Sequence, residues 1–314
     1  MNTLLGAILV VASFIGFSAA SPDPIASPAQ VRVCEAQLRD VARNRIIPLR
    51  IRMPTGAGKV PLILFSHGLG GNLDAGTLWA EAWTADGNAV IHLQHAGSDS
   101  GIIGGGGLRR AMSIGQLRAR ALDVTFVIDE IGRHPHQGAC DLTRIDLNRI
   151  GMSGHSFGAQ TTLAVAGQVY PLADVKLADP RIKAGVALSP QQALAQPDHV
   201  AFGGITMPFL IITGTEDVLP WLTEVTSKDR ERPFRAMAPG EKYLLVMQGG
   251  NHRMFGGQDN IPLPESTRVP HIRSVVARST TLFWRATLRD DHAALAELDR
   301  FNTTLREGDR WERR

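Results

Sequence analysis

Short runs along the chain are rich in apolar and β-branched residues: IIPLRIR at 46–52, PLILFS at 61–66, AVIHLQ at 89–94, RIGMS at 149–153, AGVALS at 184–189, PFLIITG at 208–214 and YLLVMQ at 243–248. Several carry apolar side chains on both faces, as strands of a doubly covered sheet must. Longer segments between them place apolar residues three and four apart. These predict helices over 75–86, where Trp79 and Trp83 lie one turn apart, over 115–132 with Leu117, Leu122, Val124 and Ile128, and over 157–168. Strand and helix alternating in this way predict an α/β domain built on a doubly wound, mostly parallel sheet.

The two ends read differently. Residues 1–20, MNTLLGAILVVASFIGFSAA, are uncharged, run apolar from Leu4 to Phe17 and finish on Ser18, Ala19 and Ala20, the pattern of a secretory signal peptide. An uncleaved anchor is the alternative, although the run is short for a bilayer, so stable membrane insertion is not expected. Residues 21–33 start SPDPIASPAQ and predict a flexible leader, which leaves 34–314 as a single domain. The charged stretch from Leu288 to Arg314 predicts a solvated helix and a frayed tail. GIIGGGG at 101–107 lacks the Gly-Lys-Ser/Thr ending of a phosphate loop and reads as a mobile surface loop.

Charge narrows the partners. With 33 basic and 30 acidic side chains the surface is mixed, and nucleic acid is not expected. An export signal implies a secreted or periplasmic protein in an oxidising compartment, where Cys34 and Cys140 either join as a disulfide or remain two buried thiols.

The reactive chemistry centres on Gly154-His155-Ser156-Phe157-Gly158, a G-x-S-x-G turn between the run RIGMS and the helical segment that follows. A sharp strand-to-helix turn of this kind lifts a serine oxygen above a sheet edge, and glycines flank it because side chains there would collide with neighbouring backbone. A serine hydroxyl needs a histidine to take its proton and a carboxylate to hold that imidazole. Both arrive at the ends of later strands: Thr215-Glu216-Asp217 after PFLIITG and Gly249-Gly250-Asn251-His252 after YLLVMQ. The shorter Asp217 is preferred as the acid, with Glu216 as its rival, and His252 as the base.

His155 is expected to pack beneath the site, and His67, His92 and His95 to be hydrogen-bonded pocket or sheet residues. No histidine pair stands with Cys or carboxylate at a metal-binding spacing, so neither metal nor cofactor is expected. The turn Ser66-His67-Gly68-Leu69-Gly70-Gly71 can offer a backbone N–H to a developing oxyanion. Leu69 N–H and Phe157 N–H are the assigned pair. Trp221, close after Asp217, lines a substrate pocket or anchors the core. Leu69, Phe157 and Met254 or Phe255 would complete the rim.

Taken together, SHGLGGN, GHSFGAQTTLAVAG, IITGTED and GGNHRMF resemble the α/β-hydrolase superfamily, most closely its bacterial predicted dienelactone hydrolases and platelet-activating-factor acetylhydrolase-like esterases. The resemblance spans about residues 34 to 290 and implies an eight-stranded sheet, a cofactor-free serine esterase and a Ser156, Asp217 and His252 triad. The pattern departs from that group in two ways. True dienelactone hydrolases use cysteine where this chain has Ser156, and animal acetylhydrolases take their acid from a position matching Ser189-Pro190. The acid here resembles that of bacterial esterases and cutinases instead.

Only residues 190–207 separate AGVALS from PFLIITG, which leaves no room for a large cap domain. The expectation is therefore a secreted serine carboxylesterase acting on short-acyl or polymeric esters. An amide or peptide hydrolase could use the same three residues. A non-catalytic binding module on such a scaffold is the remaining class.

Overall fold

Strands that are apolar on both faces need cover on both, and in the computed structural model of the chain they have it. Residues 31–102, 107–171, 176–193, 195–219, 225–258 and 268–314 are described. The expected signal peptide, Trp221 and the centre of the glycine run at 103–106 lie outside them.

The strands are β1 Val31–Asp40, β2 Arg45–Pro54, β3 Val60–Ser66, β4 Ala89–Leu93, β5 His136–Gln137, β6 Cys140–Asp141, β7 Ile145–His155, β8 Ile182–Leu188, β9 Phe209–Glu216, β10 Lys242–Asn251 and β11 Arg310–Arg313. The helices are α1 Thr77–Ala85, α2 Leu108–Ala111, α3 Ile114–Arg133, α4 Phe157–Ala166, α5 Asp198–Phe202, α6 Arg232–Ala236, α7 Arg268–Leu288 and α8 His292–Asp299.

One sheet of nine strands runs in the order β1-β2-β4-β3-β7-β8-β9-β10-β11, with β5 and β6 pairing apart from it. From β4 to β10 neighbours are parallel, whereas β1, β2 and β11 join antiparallel at the two edges. The alternation is literal: Ile63 and Phe65 of β3 pack with α1 and α7 on one face, while Leu62 and Leu64 pack with α3 on the other. Farther along, Phe209 and Ile211 of β9 meet α4, α5 and α6. The chain order turns around between β3 and β7, and a reversal of this kind opens a crevice at the carboxyl ends of the two strands.

The seven strands that the pattern shows become nine, one more than the eight that the resemblance implies, because both edges were hidden in the pattern. β1 starts at Val31, inside the expected leader, and its outward residues are exposed, so its alternation buries little. Its Cys34 is bonded to Cys140 of β6, with Cα atoms 5.9 Å apart, which ties the edge strand to the small hairpin. At the far edge the charged end is not frayed: Arg310–Arg313 pairs with β10, and Trp311 stacks on Tyr243 with ring centroids 5.4 Å apart. One inward aromatic anchors a strand whose other residues are charged. The long helix α7, unassigned by pattern, covers the α1 face through Val276, Phe283 and Trp284. Between β8 and β9 the described chain forms only the short α5. Among the described residues no helix is long and apolar enough to cross a membrane.

Candidate active site

Strand β7 runs directly into α4 with Ser156 between them, at φ 56° and ψ −113°. A non-glycine residue in that region carries backbone strain, which the surrounding contacts must hold. Those contacts are close. A Cβ on Gly158 would lie 1.9 Å from the carbonyl oxygen of Ser66, and one on Gly154 would lie 2.3 Å from that of Gly158. Ser156 N–H donates to Leu188 O at 2.9 Å, pinning the turn to β8.

His252 and Asp217 follow the ends of β10 and β9, neighbours in the sheet, so both come to the same edge as Ser156. Ser156 Oγ lies 2.9 Å from His252 Nε2, and His252 Nδ1 lies 2.7 Å from Asp217 Oδ1. With the carboxylate facing Nδ1, that nitrogen carries the proton and Nε2 is left to accept from the hydroxyl. Asp217 is fully buried, whereas Glu216 is exposed, which separates the two rival acids. Ser156 is half-buried and His252 is 8% exposed, so the hydroxyl remains reachable while the imidazole is shielded.

The carboxylate has partners that the sequence reading missed. Thr213 Oγ–H donates to Asp217 Oδ2 at 2.8 Å. Arg230, itself buried, brings Nε to 2.9 Å from Oδ1 and also donates to the Asp217 carbonyl at 2.6 Å. Its Nη1 holds Ser189 O and Pro190 O at 3.1 and 3.0 Å. Burial by itself would push the Asp217 carboxyl up, but His252 and Arg230 hold it below the ordinary carboxylate range, so it stays ionised. Arg230 stands in the run KDRERP, which by pattern is a solvated charged surface. No periodic signal marks the one arginine that turns inward.

His155 packs beside the base with its ring tilted by 46°, ring centroids 4.7 Å apart, and its Nε2–H donates to His252 O at 2.9 Å. Burial, then the neighbouring His252, lowers its pKa to about 3, so it supports the loop as a neutral ring. Met254 and Phe255, expected at the rim, instead point inward: both are buried, and Phe255 O accepts from Trp79 Nε1 at 3.0 Å. Gly250 makes room for the Phe255 ring, since a Cβ there would lie 2.8 Å from its Cζ.

The turn after β3 lies against the elbow. A Cβ on Gly68 would lie 3.4 Å from Ser156 Cβ. In this turn Gly70 N–H donates to Ser98 O and Gly71 N–H to Gly68 O, at 2.8 and 3.1 Å. Leu69 N–H and Phe157 N–H have no acceptor among the described residues. Both residues are half-buried beside the serine. An anion formed there would meet two unspent donors, one of them at the first turn of α4.

The other histidines singled out are structural in place. His67, His92 and His95 are buried and hydrogen-bonded. Among the described residues no three His, Cys, Asp or Glu side chains converge as a metal site. Compared with known proteins, the chain matches no protein-family model and no curated protein.

Proposed function

We propose that the protein is a serine carboxylesterase with an α/β-hydrolase fold, exported to an oxidising compartment. The observation that carries this reading is the unbroken chain from Asp217 through His252 to a half-buried Ser156 held in a strained strand-to-helix turn. The Cys34–Cys140 disulfide and the signal-like first twenty residues support export.

His252 Nε2 takes the Ser156 proton as Oγ attacks the ester carbonyl carbon, and the carbonyl oxygen becomes an anion facing Leu69 and Phe157 N–H. Collapse of this intermediate breaks the carbon–oxygen bond to the alcohol, which leaves with the proton from His252. Water then attacks the acyl-enzyme, His252 takes a proton from it, and the acid departs as Ser156 regains its hydrogen. Asp217 remains ionised throughout, fixing the ring and stabilising the imidazolium. Arg230 and Thr213 hold Asp217 in turn.

The short connection between β8 and β9 favours an open site suited to short acyl groups or a stretch of polyester, with Trp221 as a candidate lining residue. Ser156→Ala should abolish turnover of a p-nitrophenyl ester and labelling by a fluorophosphonate probe while leaving the thermal transition in place. A folded wild-type chain that the probe does not label would refute the esterase reading and favour a binding module. Matched ester and anilide substrates separate an esterase from an amidase, and an acyl-length series with a clear optimum at long chains would overturn the short-acyl assignment.

A further inference from the structure

A second hydroxyl, imidazole and carboxylate stand in line beneath the first. Ser66 Oγ lies 2.8 Å from His95 Nε2, and His95 Nδ1 lies 3.0 Å from Asp123 Oδ2. The order and distances repeat those of Ser156, His252 and Asp217, yet all three groups have no exposed surface. No substrate reaches Ser66, and Asp123 is already held by Arg45 at 2.7 and 2.8 Å and by Arg43 at 2.9 Å. This is not a second hydrolytic centre.

We propose that Asp123, His95 and His67 form a buried positioning relay that sets the direction of the Leu69 N–H, and that Arg120 links it to Phe157. The inference rests on the esterase reading, since it assigns those two amides to the oxyanion. With Asp123 facing Nδ1 of His95, Nε2 of that ring accepts from Ser66 and the ring is fixed. The backbone N–H of His95 then donates to His67 Nε2 at 3.0 Å. That nitrogen must be unprotonated, so the His67 proton sits on Nδ1, from which it donates to Gly68 O at 2.6 Å. No peptide bond in the described chain is cis, so the N–H of Leu69 points away from the Gly68 carbonyl to which it is joined. Holding the oxygen inward therefore turns the amide outward.

Arg120 completes the link. It is fully buried, donates through Nη2 to His67 O and through Nε to Thr161 Oγ1 on α4 at 2.8 Å, and lies over the Phe157 ring at 4.7 Å from the centroid. One guanidinium thus touches the turn carrying the first donor and the helix start carrying the second. Burial and the nearby Arg120 charge keep His67 and His95 neutral at working pH, the second at about 4, as single-proton tautomers require. His67, His95 and Arg120 are positioning residues; none touches the reacting atoms.

His67→Gln and His67→Asn test this on the full chain with p-nitrophenyl acetate. The glutamine can still accept from His95 N–H but offers no donor at the Nδ1 position; the asparagine keeps that donor. The expected result is a kcat about 10- to 100-fold lower for His67→Gln with KM and melting temperature near wild type, and several-fold recovery in His67→Asn. Wild-type kcat in the glutamine variant, or equal losses of kcat and melting temperature in both variants, overturns the relay. A nitrogen-15 NMR spectrum of the wild-type histidines at pH 7 needs no variant and no activity. It should show His67 and His95 as neutral Nδ1–H tautomers, and an Nε2–H or charged His67 overturns the relay. A wild-type chain inert to esters but with those tautomers would instead sink the esterase reading while leaving the hydrogen-bond relay in place.

Discussion

Acidifying the protein from pH 7.5 to pH 5 should cost the folded state about 4 kcal/mol through two histidines alone. His92 and His95 are 1% and 0% exposed. Burial, reinforced by Arg52 beside His92 and Arg120 beside His95, lowers the first to about 3 and the second to about 4, although Asp123 pulls His95 the other way. In the unfolded chain each titrates near 6.5. Between those values the unfolded chain binds a proton that the folded chain refuses, so stability falls as the pH drops below 6.5 and goes on falling to the folded-state value. At pH 5 that lag is about 1.5 pH units, or about 2 kcal/mol for each ring. His67 and His155 are displaced downward too, burial again being the main cause, and add to the loss.

Most carboxylates keep their charge at pH 5, which separates this effect from the breaking of ion pairs. Urea unfolding at the two pH values, followed by the fluorescence of the buried Trp79, Trp83 and Trp284, measures it. A loss of this size lowers the midpoint by about 1 M or more. A midpoint that moves by less than about 0.3 M, or rises on acidification, would refute the reasoning.

The acid assignment gives a sharper contrast in rate. Asp217→Asn should lower kcat on a p-nitrophenyl ester by about 10,000-fold, because the amide can hold His252 in the wrong tautomer, while Glu216→Gln should change it less than about twofold. Steady-state kinetics on the two purified variants separates them. Replacing Cys34 and Cys140 together by serine opens a loop of sequence separation 106 and should lower unfolding free energy by about 4 to 5 kcal/mol on the chain-entropy model. The urea midpoint of the double variant at pH 7.5 checks this, and an unchanged midpoint contradicts it.

Much of the fold was legible because its central strands advertise themselves. A strand such as β3 is fully buried over Val60–Ser66, and a doubly covered strand has to be apolar at every position. The edge strands β1 and β11 need bury one face at most, so charges interrupt them and the pattern weakens. Helix α7 was obscured for a related reason: its arginines and threonines dilute an apolar stripe that is nonetheless buried along one side. At the site, the histidine was readable from its place after a strong strand, whereas Arg230 looked like any member of a charged run.

Pattern and local geometry are written in neighbouring residues, and these the amino-acid sequence determined alone: the strand-to-helix turn at Ser156, the glycines its close backbone demands, and the chain order of serine, acid and histidine. Packing chose what lies between distant segments. It placed Asp217 rather than Glu216 against His252, turned Arg230 inward, and brought Ser66, His95 and Asp123 into line from separations of 29 and 28 residues. Such contacts depend on which faces of several elements meet, and residue spacing along one element carries no record of what sits across from it.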